Sequence, residues 1–535
     1  MFGTTQAVKG LDESGRSFLA KDLQMNKAVA KITSQSSTTP VTSPIRRFVT
    51  NTLNYLPAAL LPALIALASS ATFTRIFTAN DYGILSLLLA IIAPIATMLT
   101  EWIGQPVGRF YAEYKHNNRL ELYRSAVVIV LFSTVIWIVL VALLALAGLL
   151  FFNGGIPYPL LLVGTVIGLL VQSWYSILIR ILPASFKIQP YRNVVVLMSV
   201  LSLIITLALI HFFGINIAWL VWGPALSTGL LLPYILRHAG IALKINRADF
   251  GVRTQKTLLR FWHYGAPMMI WFFANQLLNI GDRYIIQIYL DSTQLGIYSV
   301  NYNLVSQAVN LVNVPLWAAS GPILMSQWAR REISSVCQTI SQMTDIYMII
   351  GFGMIGGIGV IGEFLTLIIF GSEFHEGYII FVPVLAGAVV FGVTILGQKS
   401  VEFTEKTSIM VYIILIAALA NLILNIKFVP IWGYQAAAFT TLISYLIYLL
   451  LVYWGTQYLL PWNIPIKKIT ISACASFVAW FLASLILEYI QWGAFIQLIV
   501  GGTFFSLIYI TTIAVMRYNE LYPLTMYWLN NILKR

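Results

Sequence analysis

The sequence has little charge and almost no cysteine. Only 10% of its 535 residues are Asp, Glu, Lys or Arg, whereas 59% are hydrophobic. An average soluble domain is roughly 25% charged. A soluble fold of this size cannot bury so much apolar surface, so a cytosolic enzyme is excluded. The two cysteines, Cys337 and Cys474, lie far apart and the five histidines occur singly, which indicates neither a disulfide framework nor a metal site.

The motifs of membrane-bound pumps and enzymes are also missing. No GxxxxGK[ST] loop occurs, so ATP is not expected to be the direct energy source. The 19 acidic residues are too dispersed to predict a pair of catalytic carboxylates. We therefore expect a protein that is not an enzyme, with no catalytic residues, no metal and no cofactor.

Long apolar runs make up most of the chain. A helix needs roughly 20 apolar residues to cross a bilayer, because its backbone groups must pair internally. Fourteen such runs predict an all-α polytopic membrane protein. They lie near 52–73, 83–100, 125–152, 160–179, 194–213, 217–236, 262–281, 294–319, 340–362, 376–397, 409–427, 435–456, 469–490 and 494–516. Residues 1–48 are polar and lack the apolar core of a signal peptide, so we expect a flexible cytoplasmic tail.

The basic residues predict the orientation of these spans. With the N-terminus inside, 29 of the 32 Lys and Arg residues fall in inside segments, and only Arg75, Arg283 and Lys427 fall outside. This asymmetry predicts that both termini are cytoplasmic. The net charge of +13 then reflects loops that face an anionic leaflet, and no nucleic-acid partner is expected.

Two parts of the chain resemble each other. Spans five and six, like spans eleven and twelve, show an apolar helix, an aromatic stop, a Gly-centred turn (Phe213-Gly214, Trp432-Gly433) and a helix beginning with small residues. We therefore predict two six-helix lobes related by a parallel repeat, at 49–240 and 260–456. Two further helices (466–516) and a cytoplasmic C-terminus (517–535) follow. Two facing lobes suit alternating access to a site near the midplane.

Polar residues inside the spans are the candidate site. Asn303, Gln307 and Asn310 are spaced i, i+4, i+7, so they share one helix face. That face has to meet either a neighbouring helix or a water-filled cavity, and Gln276 and Asn279 offer a second polar patch on the preceding span. Mixed amides, Tyr and Arg suit a sugar- and phosphate-bearing head group better than a bare ion.

Charged residues near the span ends allow two interpretations. Arg75 closes the first span, and Asp282 and Arg283 lie on the seventh. They either reach the interface with a local Asp282–Arg283 salt bridge, or form a partly cationic lining at the outer end of a central cavity. The glycine-rich GFGMIGGIGVIG of the ninth span is interpreted as a packing surface or a flexible point.

Three segments resemble signatures of the polysaccharide-transport flippases (O-antigen and exopolysaccharide) of the multidrug/oligosaccharidyl-lipid/polysaccharide (MOP) superfamily. They are TRIFTANDYGILSLLLAI with GRFYAEY, then GDRYIIQIYLDSTQLGIYSVNYNLV, then ANLILNIKFVPIWGYQAAAFTTLISYL. The resemblance implies two six-helix lobes around a cationic cavity. By motif position it implies Arg75, Arg109, Asp282 and Arg283 as site residues, with Arg180 a weaker addition. Arg109 has the alternative of a cytoplasmic anchor.

The resemblance also implies an activity and a location. It implies a bacterial inner-membrane flippase for undecaprenyl-pyrophosphate-linked oligosaccharide, which supplies O-antigen, capsule or exopolysaccharide assembly and uses an ion gradient. The partners would be the lipid-linked oligosaccharide, membrane lipids, a polysaccharide polymerase and a chain-length regulator.

Three other functions stay open on the sequence alone. A multidrug or small-cation exporter of the same superfamily would typically have twelve spans and a buried carboxylate. A membrane-bound polymerase or glycosyltransferase would need a large outside loop or a pair of acids. The third is a non-transporting scaffold in a polysaccharide assembly complex.

Overall fold

Apolar runs of this length fold as helices because a membrane offers no other partner for the backbone. The computed structural model of the chain describes residues 60–151, 159–244, 250–404, 406, 408–489 and 492–517, and in these ranges the regular structure is helical without a strand. The predicted all-α class is confirmed. The predicted tail 1–48 and residues 518–535 of the predicted C-terminal segment lie outside the described residues.

The described ranges contain fifteen α-helices and the 3₁₀ segment Ser372–Ile380. The helices are α1 (Leu60–Phe73), α2 (Ala79–His116), α3 (Leu120–Phe151), α4 (Pro159–Leu178), α5 (Ile181–Ala184), α6 (Ile188–Phe213), α7 (Trp219–Ala239), α8 (Val252–Tyr289), α9 (Ser292–Ala329), α10 (Ile333–Ile369), α11 (Phe381–Phe403), α12 (Ser408–Trp432), α13 (Tyr434–Thr456), α14 (Ile466–Tyr489) and α15 (Ala494–Met516).

Every helix except the four-residue α5 overlaps one of the fourteen predicted spans. Eleven helical segments in the described residues are long and apolar enough to cross a membrane. The helices outside that set are α1, with 14 described residues, and the two long helices α8 and α9. These two helices carry the polar residues from which the sequence predicts a site.

Several helices continue well beyond their apolar runs. The second span is predicted at 83–100, but α2 has 38 residues and begins directly after Thr78, whose side chain forms a capping box with Asp81. Likewise α9 begins after Asp291, whose side chain accepts the N–H of Gln294 at 2.8 Å. Hydropathy marks only the apolar part of a helix, whereas the caps set where it begins.

The predicted start of the tenth span, at 376, falls within the helical segment Ser372–Phe403, which is long and apolar enough to cross a membrane. Residues Ser372–Ile380 form a 3₁₀ segment and α11 begins only at Phe381. The side chain of Asn301 on α9 donates to the carbonyl of Phe374 at 3.0 Å. A residue more than 70 positions away therefore helps to fix this segment, and the local sequence carries no sign of it.

The starts of α2 and α9 occupy equivalent positions, as the predicted parallel repeat requires. Both helices have 38 residues. Gly83 and Gly296 are the fifth residues of their helices, and Ser86 and Ser299 are the eighth. The two serine hydroxyls hydrogen-bond to each other at 2.6 Å. The equivalent positions therefore meet, as expected at an axis that relates two helices running in the same direction.

The last two helices pack on α10. A Cβ at Gly356 would meet the Ser476 hydroxyl at 2.3 Å, and one at Gly353 would meet the Tyr509 ring at 2.9 Å. The hydroxyls of Ser476 and Tyr509 each donate to a carbonyl of α10 at 2.6 Å. The packing interpretation of the ninth-span glycines is therefore confirmed, and their contacts attach α14 and α15.

Candidate functional site

The predicted site residues lie mainly on the α8–α9 hairpin, whose helices are joined by Leu290 and Asp291. From this turn α8 runs along α2 and α12, while α9 packs on the beginning of α2 and on α11. The two helices have little contact with each other. They therefore diverge from their turn, and polar side chains occupy the region where they separate.

Arg283 is the cation of this region. Its guanidinium donates to the side-chain oxygen of Asn303 at 3.3 Å and lies 5.7 Å from the ring centroid of Tyr302. Among the described residues it has no carboxylate within ion-pair distance. A guanidinium held by a neutral amide and a ring keeps donors for an added anion.

The predicted polar face of α9 continues from this contact. Asn303 and Asn310 are exposed and Gln307 is half-buried, whereas Leu304 and Val305 on the other side of the helix are buried. The seven residues from Asn303 to Asn310 correspond to about 10 Å along a helix axis. The structure thus gives a line of amides that begins beside the Arg283 guanidinium.

Gln276 and Asn279 on α8 point to different helices. The Gln276 amide lies 3.5 Å from the Thr97 hydroxyl of α2. The side-chain oxygen of Asn279 accepts the Tyr445 hydroxyl of α13 at 2.5 Å. Side chains three residues apart on a helix point only about 60° apart, so the two amides share one face of α8. Each of them nevertheless contacts a different helix, α2 or α13, and neither contacts Asn303.

Asp282 is fully buried and does not pair with Arg283. One carboxylate oxygen accepts the hydroxyl of Tyr298 on α9, and the other has no hydrogen-bond partner. Consecutive residues on a helix point about 100° apart, which explains why the predicted local salt bridge is not formed. Asp282 thus faces the protein interior while Arg283 faces the polar region.

Arg75 and Arg109 make their contacts with other parts of the fold. Arg75 donates to the carbonyls of Ile368 and Ile369 at 2.6 and 2.8 Å, at the end of α10. Arg109, near the other end of α2, lies 4.8 Å from the ring centroid of Tyr264 and 3.4 Å from its hydroxyl. The structure therefore brings neither guanidinium to Arg283.

A family model described as polysaccharide biosynthesis protein matches residues 48–328. The match covers more than half of the chain and includes the whole α8–α9 turn with Arg283 and Asn303. The chain belongs to this polysaccharide biosynthesis protein family.

The similarity of this family member to other proteins covers more of the chain than the family match does. An uncharacterized membrane protein of Methanocaldococcus jannaschii is 20% identical over 483 residues, which are 85% of this chain and 94% of that protein. Among solved structures, a lipid II flippase MurJ in an inward-closed conformation has a TM-score of 0.68 at 15% identity, covering 86% of this chain and 98% of that chain. An inward-facing multidrug-resistance MATE transporter of the MOP superfamily has a TM-score of 0.58 at 12% identity, covering 79% and 99%. This multi-pass membrane protein therefore shares the fold of these two transporters.

The structure also adds ion pairs that sequence reasoning missed in this family member. The carboxylate of Asp345 on α10 accepts hydrogen bonds from both terminal nitrogens of the Arg517 guanidinium, at 3.0 and 2.5 Å. The Lys468 ammonium lies 3.7 Å from the same carboxylate. Arg260 on α8 pairs with Glu113 of α2 at 2.7 Å. An isolated acid such as Asp345 in an apolar run is a signal of a partner, but its partner lies 172 residues away in sequence.

Other charged candidates are also paired. Arg180 lies 2.5 Å from Glu101 of α2, with both side chains largely buried. Among the described residues no group of three His, Cys, Asp or Glu side chains is placed to hold a metal. Among the predicted arginine candidates in the described residues, Arg283 combines the lack of a carboxylate partner with a position beside the polar face of α9.

Proposed function

We propose that the protein flips a polyprenyl-pyrophosphate-linked oligosaccharide across the cytoplasmic membrane by alternating access. In this proposal it supplies the assembly of a surface polysaccharide, such as O-antigen, capsule or exopolysaccharide, in a bacterial inner membrane. Membership of the polysaccharide biosynthesis family and a MOP fold support a transporter of this class. A lipid II flippase with the same fold is a precedent for cargo of similar chemistry.

The observation that carries the proposal is the contact of Arg283 with Asn303 on two diverging helices. A guanidinium binds phosphate oxygens through paired N–H donors, and side-chain amides bind sugar hydroxyls as both donors and acceptors. The line from Arg283 through Asn303 and Gln307 to Asn310 thus offers a pyrophosphate contact followed by about 10 Å of sugar contacts. Such a face is costly in lipid, so we infer that it lines the path of the head group.

The rest of the mechanism follows from the two lobes. The head group would cross between them while the polyprenyl tail stays in the bilayer, so that only polar atoms need a protein lining. An ion gradient is the proposed energy source. A polysaccharide polymerase and a chain-length regulator would receive the product on the other side.

The test is head-group translocation by the purified full-length protein in proteoliposomes. The probe is a radiolabelled polyprenyl-pyrophosphate-linked short oligosaccharide, and its exposure is followed by an impermeant glycosidase under imposed proton or sodium gradients. We expect the protein to accelerate exposure over protein-free vesicles. Movement of cationic dyes without movement of the lipid-linked sugar would instead identify a multidrug exporter and overturn the proposal.

A further inference from the structure

The starts of α2 and α9 cross with their backbones almost in contact. A Cβ added at Gly83 would lie 1.7 Å from the carbonyl oxygen of Ser292, and one at Gly296 would lie 1.8 Å from that of Ala79. Each glycine therefore faces the first residue of the other helix. The Ser86–Ser299 hydrogen bond lies one turn further in, and both side chains are buried. This symmetric contact, which we name the glycine crossing, joins the two halves of the chain.

Two charged side chains, one from each half of the chain, make further contacts beside the glycine crossing. Arg75, just before α2, donates to the last carbonyls of α10, where the helix dipole is negative. Glu373, just after α10, accepts the first N–H of α2, that of Ala79, at 2.7 Å, where the dipole is positive. Each half thus supplies a charge to a helix end of the other half, and we name these two contacts the latch.

The glycine crossing lies directly next to the proposed head-group path. Asn303 is four residues after Ser299, which is about 6 Å along α9. A head group that lies along Asn303, Gln307 and Asn310 therefore has the glycine crossing at one end of its path. The topology predicted from basic residues makes this the outer end.

The contacts of the latch are suited to being broken. Arg75 is exposed, and its bonds go to carbonyls at a helix end, which water can satisfy when the arginine leaves. At the glycine crossing the two helices touch through backbone and two hydroxyls, and beside it the Tyr82 ring of α2 packs edge-on against Phe374. Separating the helices therefore exposes polar atoms to the same polar path, together with these two rings. By contrast, α2 meets α8 through stacked rings such as Phe110 and Phe261, whose separation would expose apolar surface.

We propose that the glycine crossing is the outer gate of the protein, and that Arg75 and Glu373 latch it instead of binding the head group. The inference rests on the proposed function and assigns Arg75 a role different from the one its motif position implies. The gate has to part for the head group to leave on this side. Removing the two latch charges does not alter the residues of the glycine crossing, but it removes contacts that are made only in the closed state. The substitutions should therefore favour the open state.

The first experiment measures opening without measuring transport. In a full-length background with Cys337 and Cys474 replaced by Ala, Asn303→Cys is labelled from outside with a membrane-impermeant maleimide in proteoliposomes. We expect Arg75→Gln with Glu373→Gln to raise the labelling rate about 3- to 30-fold, from two helix-end charge contacts. Arg330→Gln, an exposed arginine at the end of α9, is the matched control and should leave the rate unchanged. Unchanged labelling in the double variant of a protein that elutes as folded would overturn the proposal.

The second experiment closes the gate covalently. The hydroxyls of Ser86 and Ser299 are 2.6 Å apart, so Ser86→Cys with Ser299→Cys is close enough to form a disulfide. We expect oxidation to stop outside labelling of Asn303→Cys and to block head-group transfer, with both restored by a reductant. Full head-group transfer by the oxidised protein would show that the glycine crossing does not have to open during transport, and it would overturn the proposal that the crossing is a gate. Faster labelling in the latch variants with no transfer by any variant would support the gate and refute the proposed substrate.

Discussion

The role of each arginine depends on the acceptors within its reach. Arg180 and Arg517 have carboxylates at 2.5 Å, and Arg75 has the carbonyls that end α10. Arg283 has one neutral amide and one aromatic ring. A cation whose donors are not taken by an acid binds an added anion without first losing a partner, so Arg283 is the residue at which substrate binding is most directly tested.

Arg283→Ala is expected to weaken binding of the substrate's pyrophosphate. Loss of charge-assisted hydrogen bonds of about 1.5–3 kcal/mol corresponds to roughly 10- to 100-fold lower transfer at subsaturating substrate. Arg283→Lys should recover part of this, because lysine keeps the charge but not the paired donors. Initial transfer rates over a range of substrate concentrations check it, with Arg330→Ala as the control. Equal rates for Arg283→Ala and the parent protein would mean that the guanidinium does not contact the substrate.

Asp345→Asn is expected to destabilise the protein without touching the polar path. The Asp345–Arg517 pair has side chains only 11% and 4% exposed. Breaking a buried pair costs roughly 3–5 kcal/mol, because the buried Arg517 guanidinium loses both of its hydrogen bonds to the Asp345 carboxylate. Thermal unfolding in detergent should show a clearly lowered Tm. Glu121→Gln, at an exposed acid of α3, should unfold like the parent protein, and an unaltered Tm for Asp345→Asn would refute the argument.

The sequence and the structure agree most closely at residues whose partners follow from helix geometry. The shared face of Asn303, Gln307 and Asn310 follows from their spacing, and the structure places them on one continuous helix. The partner of Arg75 does not follow from sequence, because it is a pair of backbone carbonyls 293 and 294 residues away. Backbone acceptors leave no residue type to recognise, so only the folded chain reveals this contact.

At the scale of elements, small residues decide which helices approach closely. The starts of α2 and α9 meet at Gly83 and Gly296, and the glycines of α10 receive α14 and α15. A glycine-rich segment in a span predicts close packing. It does not predict the partner, since every neighbouring helix is equally apolar. This is why the sequence predicts a packing surface on the ninth span but not the docking of the last two helices on it.

Gly356 and Gly357 give a matched test of this packing. A Cβ at Gly356 would lie 2.3 Å from the Ser476 hydroxyl and 2.7 Å from the Phe505 ring, whereas one at Gly357 would have its nearest neighbour at 3.4 Å. Gly356→Ala should therefore cost about 1–3 kcal/mol through overpacking. Gly357→Ala should be neutral or slightly stabilising, because alanine favours a helix. Thermal unfolding of both variants checks the difference, and equal Tm values would contradict the docking of α14 on this face.

For the whole molecule, the sequence predicts the number of membrane spans from its apolar runs and their orientation from the distribution of its basic residues. The fourteen apolar runs overlap the fourteen long helices, and the repeat follows from two Gly-centred turns, at which Gly214 and Gly433 adopt positive φ angles of 83° and 68°. Hydropathy alone is weakest at α8 and α9, which fall outside the apolar span set. The membrane segments that are hardest to recognise by composition are those that hold the proposed polar path.

The orientation of the whole bundle remains a prediction, and single cysteines test it. In the cysteine-free background, Ile215→Cys in the turn between α6 and α7 should react with an impermeant thiol reagent only from outside, since few basic residues lie on that side. Phe186→Cys, between α5 and α6 and beside Lys187, should react only from inside. Both native side chains are well exposed, at 69% and 85%, so poor access would not explain a failure. Because one long helix separates the two positions, reaction from the same side would rule out α6 as a span, and reaction from exchanged sides would place the gate at the inner surface.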